Sequence, residues 1–138
     1  GFDLLYKTNV RGPYRLTQIL LPLLKLQKGQ VIFINSRAVF LSARPGFGQY
    51  TATKLALKAI ADSFRQEVKG YRIRVLSVYG GRTASYMQKT VYNSEGKTYQ
   101  PELLMQAADI AAMIINAICL PRTAEVTDIT LAPLVEPK

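Results

Sequence analysis

A short apolar run between two helical patterns constrains the fold of this chain most strongly. Residues 31–34, Val-Ile-Phe-Ile, are rich in β-branched side chains and do not alternate with polar residues. Such a run is typical of a strand that is covered on both faces, as in a parallel sheet. Asn35 and Ser36 follow, so we expect polar side chains at the carboxyl end of this strand, where open α/β sheets bind ligands.

The rest of the chain alternates between helix and strand in the same way. Apolar residues at helical spacing predict three helices, and β-branched runs predict two further strands. The predicted helices cover 3–26, 50–68 and 107–120, and the further strands cover 73–78 and 126–131. Pro13 and Pro22 predict a kink or a late start in the first helix. The expected fold class is therefore α/β: a partial Rossmann-like, doubly wound unit of about three parallel strands with helices on both faces.

The predicted helix 50–68 carries an apolar stripe made mostly of small residues. Small side chains allow close approach, so this stripe should pack on the sheet or on a subunit partner. Its predicted members are Ala52, Leu55, Ala56, Ala59, Ile60, Phe64 and Val68.

Length and composition indicate a single domain over 1–138. The chain has 138 residues, of which 49% are hydrophobic, and it shows neither a repeat nor a linker. With one cysteine, Cys119, and no histidine, we expect no internal disulfide and no metal site. No apolar run reaches the roughly 18 residues of a membrane span, and the first residues lack the pattern of a signal peptide. A reducing, cytoplasmic location is the corresponding expectation.

The net charge of +9 is unevenly distributed, because residues 1–60 hold nine basic side chains and only one acidic side chain. Such asymmetry can indicate nucleic-acid binding, an anionic cofactor or an acidic partner. The basic residues are spread among apolar ones, and no nucleic-acid-binding motif accompanies them. We therefore favour a solvated basic face that attracts a phosphate-bearing ligand over a nucleic-acid interface.

Tyr50 and Lys54 lie four residues apart at the start of the second predicted helix, so they share one helix face. An ammonium group beside a phenol favours the phenolate, which would let this pair exchange a proton with a ligand nearer neutrality. The alternative is that the tyrosine and the lysine lie at the edge of an amphipathic helix and have no catalytic role. The pair alone does not decide between these interpretations.

Four separate stretches match one template in order. They are Asn9 in Asn-Val-Arg-Gly, Ser36 after the first strand, Tyr50 with Lys54, and Gly80-Gly81 with Thr83 after the second strand. On these motifs the chain resembles the short-chain dehydrogenase/reductase family over essentially its whole length. The resemblance implies a hydride-transfer oxidoreductase that uses NAD or NADP and interconverts an alcohol and a carbonyl in a small-molecule substrate.

The resemblance also implies a role for each matched residue. Tyr50 would be the general acid/base, Lys54 would hold the nicotinamide ribose, and Ser36 would hydrogen-bond the substrate oxygen. Asn9 would support a water-linked proton relay to Lys54. Asn9, Tyr50 and Lys54 would also contact the cofactor, and the residues bordering the nicotinamide would be Gly80, Gly81 and Thr83. The segment 84–101, read as mobile with one short helix near 86–91, would be the substrate loop.

The sequence departs from the family pattern in three places. No Gly-x-x-x-Gly-x-Gly turn occurs in it, so the half of the family domain that binds the pyrophosphate is expected to be missing. Ser36 lies 14 residues before Tyr50, about one residue more than the family pattern. Tyr79-Gly80-Gly81 replaces a proline-glycine turn.

A sheet cut beside its central strand would expose a strand edge and apolar helix faces. We therefore expect a homo-oligomer formed through the helices 3–26 and 50–68, or assembly with the other half. The alternative to an oxidoreductase is then a truncated, non-catalytic relative that acts as an oligomerisation or binding module.

Overall fold

Residues 1–42 and 44–135 are described by a computed structural model of the chain. Five α-helices, three β-strands and several short helical turns follow one another in these residues. The α-helices are α1 (Phe2–Tyr6), α2 (Gly12–Gln27), α3 (Gly48–Val68), α4 (Tyr86–Ser94) and α5 (Ala107–Ile118). The strands are β1 (Gln30–Ser36), β2 (Arg74–Gly80) and β3 (Asp128–Leu131).

The three strands form one parallel sheet in the order β1-β2-β3. Gln30 pairs with Arg74 at the amino end of the sheet, and Ser36 pairs with Gly80 at the carboxyl end. The predicted α/β class and the three parallel strands are confirmed. The predicted strand bounds differ from the observed ones by one to a few residues, since β1 and β2 both extend to the polar or glycine residues that follow the apolar runs.

Helices cover both faces of the sheet, as predicted, and each face has its own core. The larger core contains an edge-to-face contact between Phe33 of β1 and Phe64 of α3, whose ring centroids lie 6.2 Å apart. Its buried members are Phe33, Leu57, Ala61, Phe64, Val68, Ile73 and Val75. The opposite core lies under α5 and consists of Leu76, Val78, Ala117 and Ile129. These cores fix α3 and α5 on opposite sides of β2.

The predicted apolar stripe of α3 was wrong in part. Phe64 and Val68 are buried as expected, but Leu55 is 48% exposed and its small neighbours Ala52 and Ala59 also face outward. The buried face is Thr53, Leu57, Ala61, Phe64 and Val68. Leu57 and Phe64 reach the sheet, because large side chains fill the space between layers that alanines would leave empty.

The first helix does not start late. Helical backbone runs from Phe2 to Gln27, and a π-helical turn over Lys7–Arg11 precedes Pro13. A proline has no N–H to donate, so the wider turn before it takes up the hydrogen-bonding disturbance. Pro22 stays inside α2. Elsewhere, the helix predicted near 86–91 extends to Ser94, and the last helix ends at Ile118 rather than residue 120.

None of the helices in the described ranges combines the length and apolar character that crossing a membrane requires.

Candidate functional site

The carboxyl end of β1 is tied to helix α3 by a buried asparagine. The Asn35 Nδ2 donates to the backbone carbonyl of Lys54 at 3.2 Å, and its Oδ1 accepts from the Ser36 N–H at 2.8 Å. Asn35 is 6% exposed, so both bonds are shielded from water and hold the strand end against the first turns of the helix. The sequence identified Asn35 only as a polar residue after the strand and missed this role.

Ser36 begins a 3₁₀-helical turn over Arg37–Phe40 and caps it. Its Oγ accepts a hydrogen bond from the Ala38 N–H at 3.1 Å, while its backbone stays extended. A hydroxyl that accepts one bond still has a proton to donate and a second lone pair. The cap therefore fixes the Oγ at the edge of the sheet without using up its capacity for a further partner.

Tyr50 and Lys54 occupy the first turns of α3 on one face, as the spacing predicts. The Lys54 Nζ lies 5.8 Å from the centroid of the Tyr50 ring and donates to the carbonyl of Ile34 in β1 at 3.1 Å. Burial lowers the pKa of Lys54, because desolvation disfavours the charged ammonium. The lysine is thus held between the end of β1 and the tyrosine.

Asn9 lies in the π-helical turn and reaches α3 through a threonine. Its Nδ2 donates to the Oγ1 of Thr53 at 3.1 Å, and that Oγ1 donates in turn to the carbonyl of Tyr50 at 2.8 Å. Thr53 is 1% exposed. The extra residue of a π-helical turn rotates a side chain out of the regular helical array, and such turns are frequent at functional sites. Two hydrogen bonds therefore link Asn9 to the backbone of Tyr50 through Thr53, a residue that the sequence did not single out.

The two glycines after β2 have different surroundings. A Cβ on Gly81 would lie 3.2 Å from both the carbonyl oxygen of Leu131 and the Cδ of Pro133, whereas a Cβ on Gly80 would make only an ordinary contact. The family resemblance implied that both glycines border the nicotinamide. At Gly81 the close approach is made by the end of β3, whose Leu131 carbonyl accepts from the Gly81 N–H at 2.9 Å. Thr83 follows, and its Oγ1 donates to the Gly81 carbonyl at 3.1 Å.

The segment 84–101 is fastened by a carboxylate that the sequence did not reveal. Glu95 accepts two hydrogen bonds of 2.9 Å from the Arg82 Nη2 and one of 2.6 Å from the Arg44 Nη2. Burial alone would raise the pKa of Glu95, but hydrogen bonding and charge from Arg82, with the charges of Arg44 and Lys97, hold it below its ordinary value. Arg44 and Glu95 are 51 residues apart in sequence, so only the fold brings them together.

Comparison with known proteins identifies the family. The family model for short chain dehydrogenases matches residues 1–96 of the chain. The chain belongs to the short-chain dehydrogenase family. It is an oxidoreductase-family chain with a partial Rossmann-like fold, as the sequence motifs indicated.

Relatives in this family are similar across almost the whole chain. A short-chain type dehydrogenase/reductase of Sinorhizobium fredii is 27% identical over 135 residues, covering 95% of this chain and 54% of the relative. Sepiapterin reductase of Chlorobaculum tepidum is 28% identical over 133 residues, covering 96% of this chain and 52% of the relative. The chain thus spans about half the length of the curated relatives that it matches.

Solved structures show the same relation in three dimensions. An alcohol dehydrogenase from Thermococcus sibiricus, complexed with 5-hydroxy-NADP, superposes with a TM-score of 0.80 at 22% identity, over 99% of this chain and 56% of that one. A short-chain dehydrogenase from Streptomyces avermitilis superposes with a TM-score of 0.76 at 27% identity, over 95% of this chain and 52% of that one. The three-stranded sheet and its helices therefore correspond to about half of a complete short-chain dehydrogenase domain.

Proposed function

We propose that this chain carries the proton-transfer and substrate-binding part of an NAD- or NADP-dependent oxidoreductase that interconverts an alcohol and a carbonyl. One observation carries the proposal: the partly buried ammonium of Lys54 lies 5.8 Å from the Tyr50 ring beside the strand end that bears Ser36. This is the arrangement of charge and hydroxyl groups that a proton exchange with a substrate oxygen requires.

In this proposal Tyr50 and Ser36 act on the same substrate oxygen, and Lys54 and Asn9 support them. The Tyr50 phenol donates its proton to that oxygen during carbonyl reduction and takes it back during alcohol oxidation. The nearby Lys54 ammonium stabilises the phenolate that remains, since opposite charges attract strongly where water is partly excluded. The Ser36 hydroxyl donates a hydrogen bond to the oxygen and orients it. Asn9 positions the first turn of α3 through Thr53.

A nicotinamide cofactor, when bound, would supply or accept the hydride. The residues present fit its nicotinamide-ribose end, because Lys54 offers a donor group at the sheet edge. The proposed cofactor contacts are Asn9, Tyr50, Lys54, Gly80, Gly81 and Thr83. No glycine-rich turn for the pyrophosphate occurs in the printed sequence. Since pyrophosphate contacts at a helix N-terminus contribute much of dinucleotide affinity, we expect weak binding to this chain by itself.

We also propose that the segment 84–101 binds the substrate. It begins directly after Thr83, so it lies beside the carboxyl ends of the strands. The Arg82–Glu95 pair, with side chains 15% and 16% exposed, anchors its far end. Helix α4 within it presents Tyr86 and Met87, which are 87% and 64% exposed, as apolar surface for a substrate.

Homo-oligomer formation through α1–α2 and α3 is the second proposal, and exposed apolar surface favours it. Large apolar side chains lie outward on these helices, and Ile34 on the open edge of β1 is 57% exposed. The outward apolar residues are Phe2, Leu4, Leu16, Ile19, Leu20, Leu23, Leu26 and Leu55. A surface of this kind promotes association. In the non-catalytic alternative, this assembly would be the whole function of the chain, whereas a stable monomer in analytical ultracentrifugation would remove its basis.

Turnover of a carbonyl panel with NADH or NADPH tests the enzymatic proposal. Tyr50→Phe removes the proton donor and should abolish turnover, while the matched control Tyr14→Phe, on the exposed side of α2, should keep it. Loss of turnover in Tyr50→Phe alone supports the proposal. Turnover that persists in Tyr50→Phe contradicts it. If the parent chain shows no turnover and Tyr50→Phe assembles normally, the result supports the non-catalytic alternative.

A further inference from the structure

A basic cavity lies at the end of the sheet opposite the proposed catalytic residues. It has a volume of about 330 Å³ and is situated where β1 and β2 begin. Five cationic side chains and one carboxylate line it: Lys28, Lys69, Arg72, Arg74, Arg122 and Glu125. A seven-residue strand spans about 20 Å, so this cavity is separated by roughly that distance from Ser36.

Most of the positive charge around this cavity is not neutralised. Within residues 1–42 and 44–135, none of the five cations forms an ion pair. Four of them also donate no side-chain hydrogen bond in these residues and are therefore unpaired: Lys28, Lys69, Arg72 and Arg122. The Glu125 carboxylate accepts from the backbone N–H of Val75 at 2.9 Å, so it is held against β2 as part of the wall. Like charges gathered around one concave surface repel each other unless an anion joins them.

The fifth cation, Arg74, builds the wall of the cavity. Its guanidinium donates to the carbonyls of Ile118 at 2.8 Å, Leu120 at 3.0 Å and Ala124 at 3.1 Å. These bonds satisfy the carbonyl end of α5 and hold the connection to β3 in place. The carbonyl groups at the end of α5 are thus already satisfied, and the four unpaired cations are not needed for that purpose. The Arg74 Nε is buried and without a partner in the described structure.

Two of the unpaired cations occupy backbone positions that glycine favours. Lys28 has φ of 49° and Arg72 has φ of 59°, and both follow helical turns. Left-handed backbone is costly for a residue with a Cβ, and helices commonly end there on glycine. Gly29 lies one residue from Lys28, and Gly70 lies two residues from Arg72. The two left-handed positions themselves are thus occupied by long cationic side chains, although glycine would fit them better.

We propose that this cavity binds a small polyanion that carries two or more phosphate groups, either as a free phosphate chain or as part of a nucleotide. Arg72 and Arg122 match phosphate oxygens through paired N–H donors, and Lys28 and Lys69 add point charges. A volume of about 330 Å³ is at the lower end of small-molecule sites and fits such a group. The site is independent of the proposed oxidoreductase chemistry at the other edge.

The test is a calorimetric titration of the whole chain with tripolyphosphate and, separately, with ATP. Saturable binding of one equivalent is expected. Lys28→Gly/Arg72→Gly removes two cations while giving the left-handed positions the residue that suits them, so the fold is kept. Affinity in this variant should fall about tenfold or more. The control Arg15→Gln/Lys89→Gln removes the same charge from exposed positions on α2 and α4, and its affinity should change less than about threefold.

Several outcomes would overturn the proposal. One is the absence of saturable binding. Another is an equal loss of affinity in the site variant and the control, which would show a general effect of net charge. Lys69→Gln/Arg122→Gln is a second site variant in case the first is unstable, and it should lose affinity to a similar degree. Tighter binding of ATP than of tripolyphosphate assigns the site to nucleotides, whereas equal binding assigns it to phosphate chains; both support the proposed polyanion chemistry.

Discussion

Replacing Glu95 with glutamine should release the segment 84–101 from the rest of the fold. The carboxylate accepts two 2.9 Å bonds from Arg82 and one 2.6 Å bond from Arg44. Glutamine keeps nearly the same shape but has no charge and only one acceptor oxygen. The variant therefore leaves the guanidinium of Arg82, with a side chain 15% exposed, without its counter-charge.

The size of the effect follows from how exposed each partner is. A hydrogen bond to a charged group contributes about 1.5–3 kcal/mol. The Arg44 side chain is 40% exposed, so solvent weakens its attraction to the Glu95 carboxylate. Arg82 therefore provides most of the interaction energy. We expect the segment to lose about 2–3 kcal/mol of local stability.

Hydrogen exchange measures this loss directly. The amides of Glu95 and Lys97 bond to the carbonyls of Val91 and Tyr92 at the end of α4, and they should exchange about 30- to 150-fold faster in Glu95→Gln. Glu67→Gln is the matched control, because Glu67 is exposed and, among the described residues, accepts a single hydrogen bond, from the Ser63 hydroxyl at 3.0 Å. An acceleration under about threefold at these two amides would refute the assigned role of Glu95.

The same carboxylate predicts a pH dependence. The pKa of Glu95 is lowered in the folded chain, so the folded state holds this proton less strongly than the unfolded state. The contribution of the ionised carboxylate is fully present above the ordinary glutamate pKa of about 4.3 and is lost as the pH falls through the lowered value. Protection of the segment, measured against the intrinsic exchange rate at each pH, should therefore fall with acid more steeply in the parent chain than in Glu95→Gln.

Three further predictions test other parts of the structure. Gly81→Ala should destabilise the fold by about 1–3 kcal/mol in denaturant unfolding, because the added Cβ meets backbone at 3.2 Å, whereas Gly80→Ala should be nearly neutral. Phe64→Ala, at a side chain 3% exposed, should cost about 3–5 kcal/mol in the same assay. In the parent chain, the free energy of unfolding should rise as the pH increases from the lowered pKa of Lys54 to its ordinary value of about 10.4, because the unfolded chain binds more protons in that pH range. Lys54→Met should abolish this rise. Equal effects at the two glycines, a loss below about 1 kcal/mol at Phe64, or an unchanged alkaline profile would contradict these assignments.

The fold was predictable where a pattern is local. The β-branched run 31–34 and the alternation of helix and strand predicted the parallel sheet correctly. The face of α3 was harder, because Leu55 and the nearby alanines form an apolar stripe as regular as the buried one. Periodicity cannot choose between two apolar stripes. The choice is made in the fold by Leu57 and Phe64, which fill the space over β1 and β2.

The residues of the candidate site could be proposed from the sequence, but most of the contacts between them could not. The spacing of Tyr50 and Lys54 places them on one helix face, which the structure confirms. The bond from Asn9 to Thr53 depends on a π-helical turn, which the spacing of apolar residues does not predict. The Arg44–Glu95 contact depends on how a loop and the end of α4 meet. Such contacts join residues far apart in sequence, so only the folded chain reveals them.

The central claim is that Tyr50 and Lys54 form a site for nicotinamide-dependent chemistry, and a cofactor titration tests it most directly. NADH and NADPH should each be titrated into the purified chain and followed by nicotinamide fluorescence and calorimetry. Our account predicts saturable binding of at least one of them at or below about 1 mM, weakened by Lys54→Met and unchanged by the control Arg15→Gln at an exposed position of α2. Absence of binding at that concentration, or equal binding by parent and Lys54→Met, would contradict it.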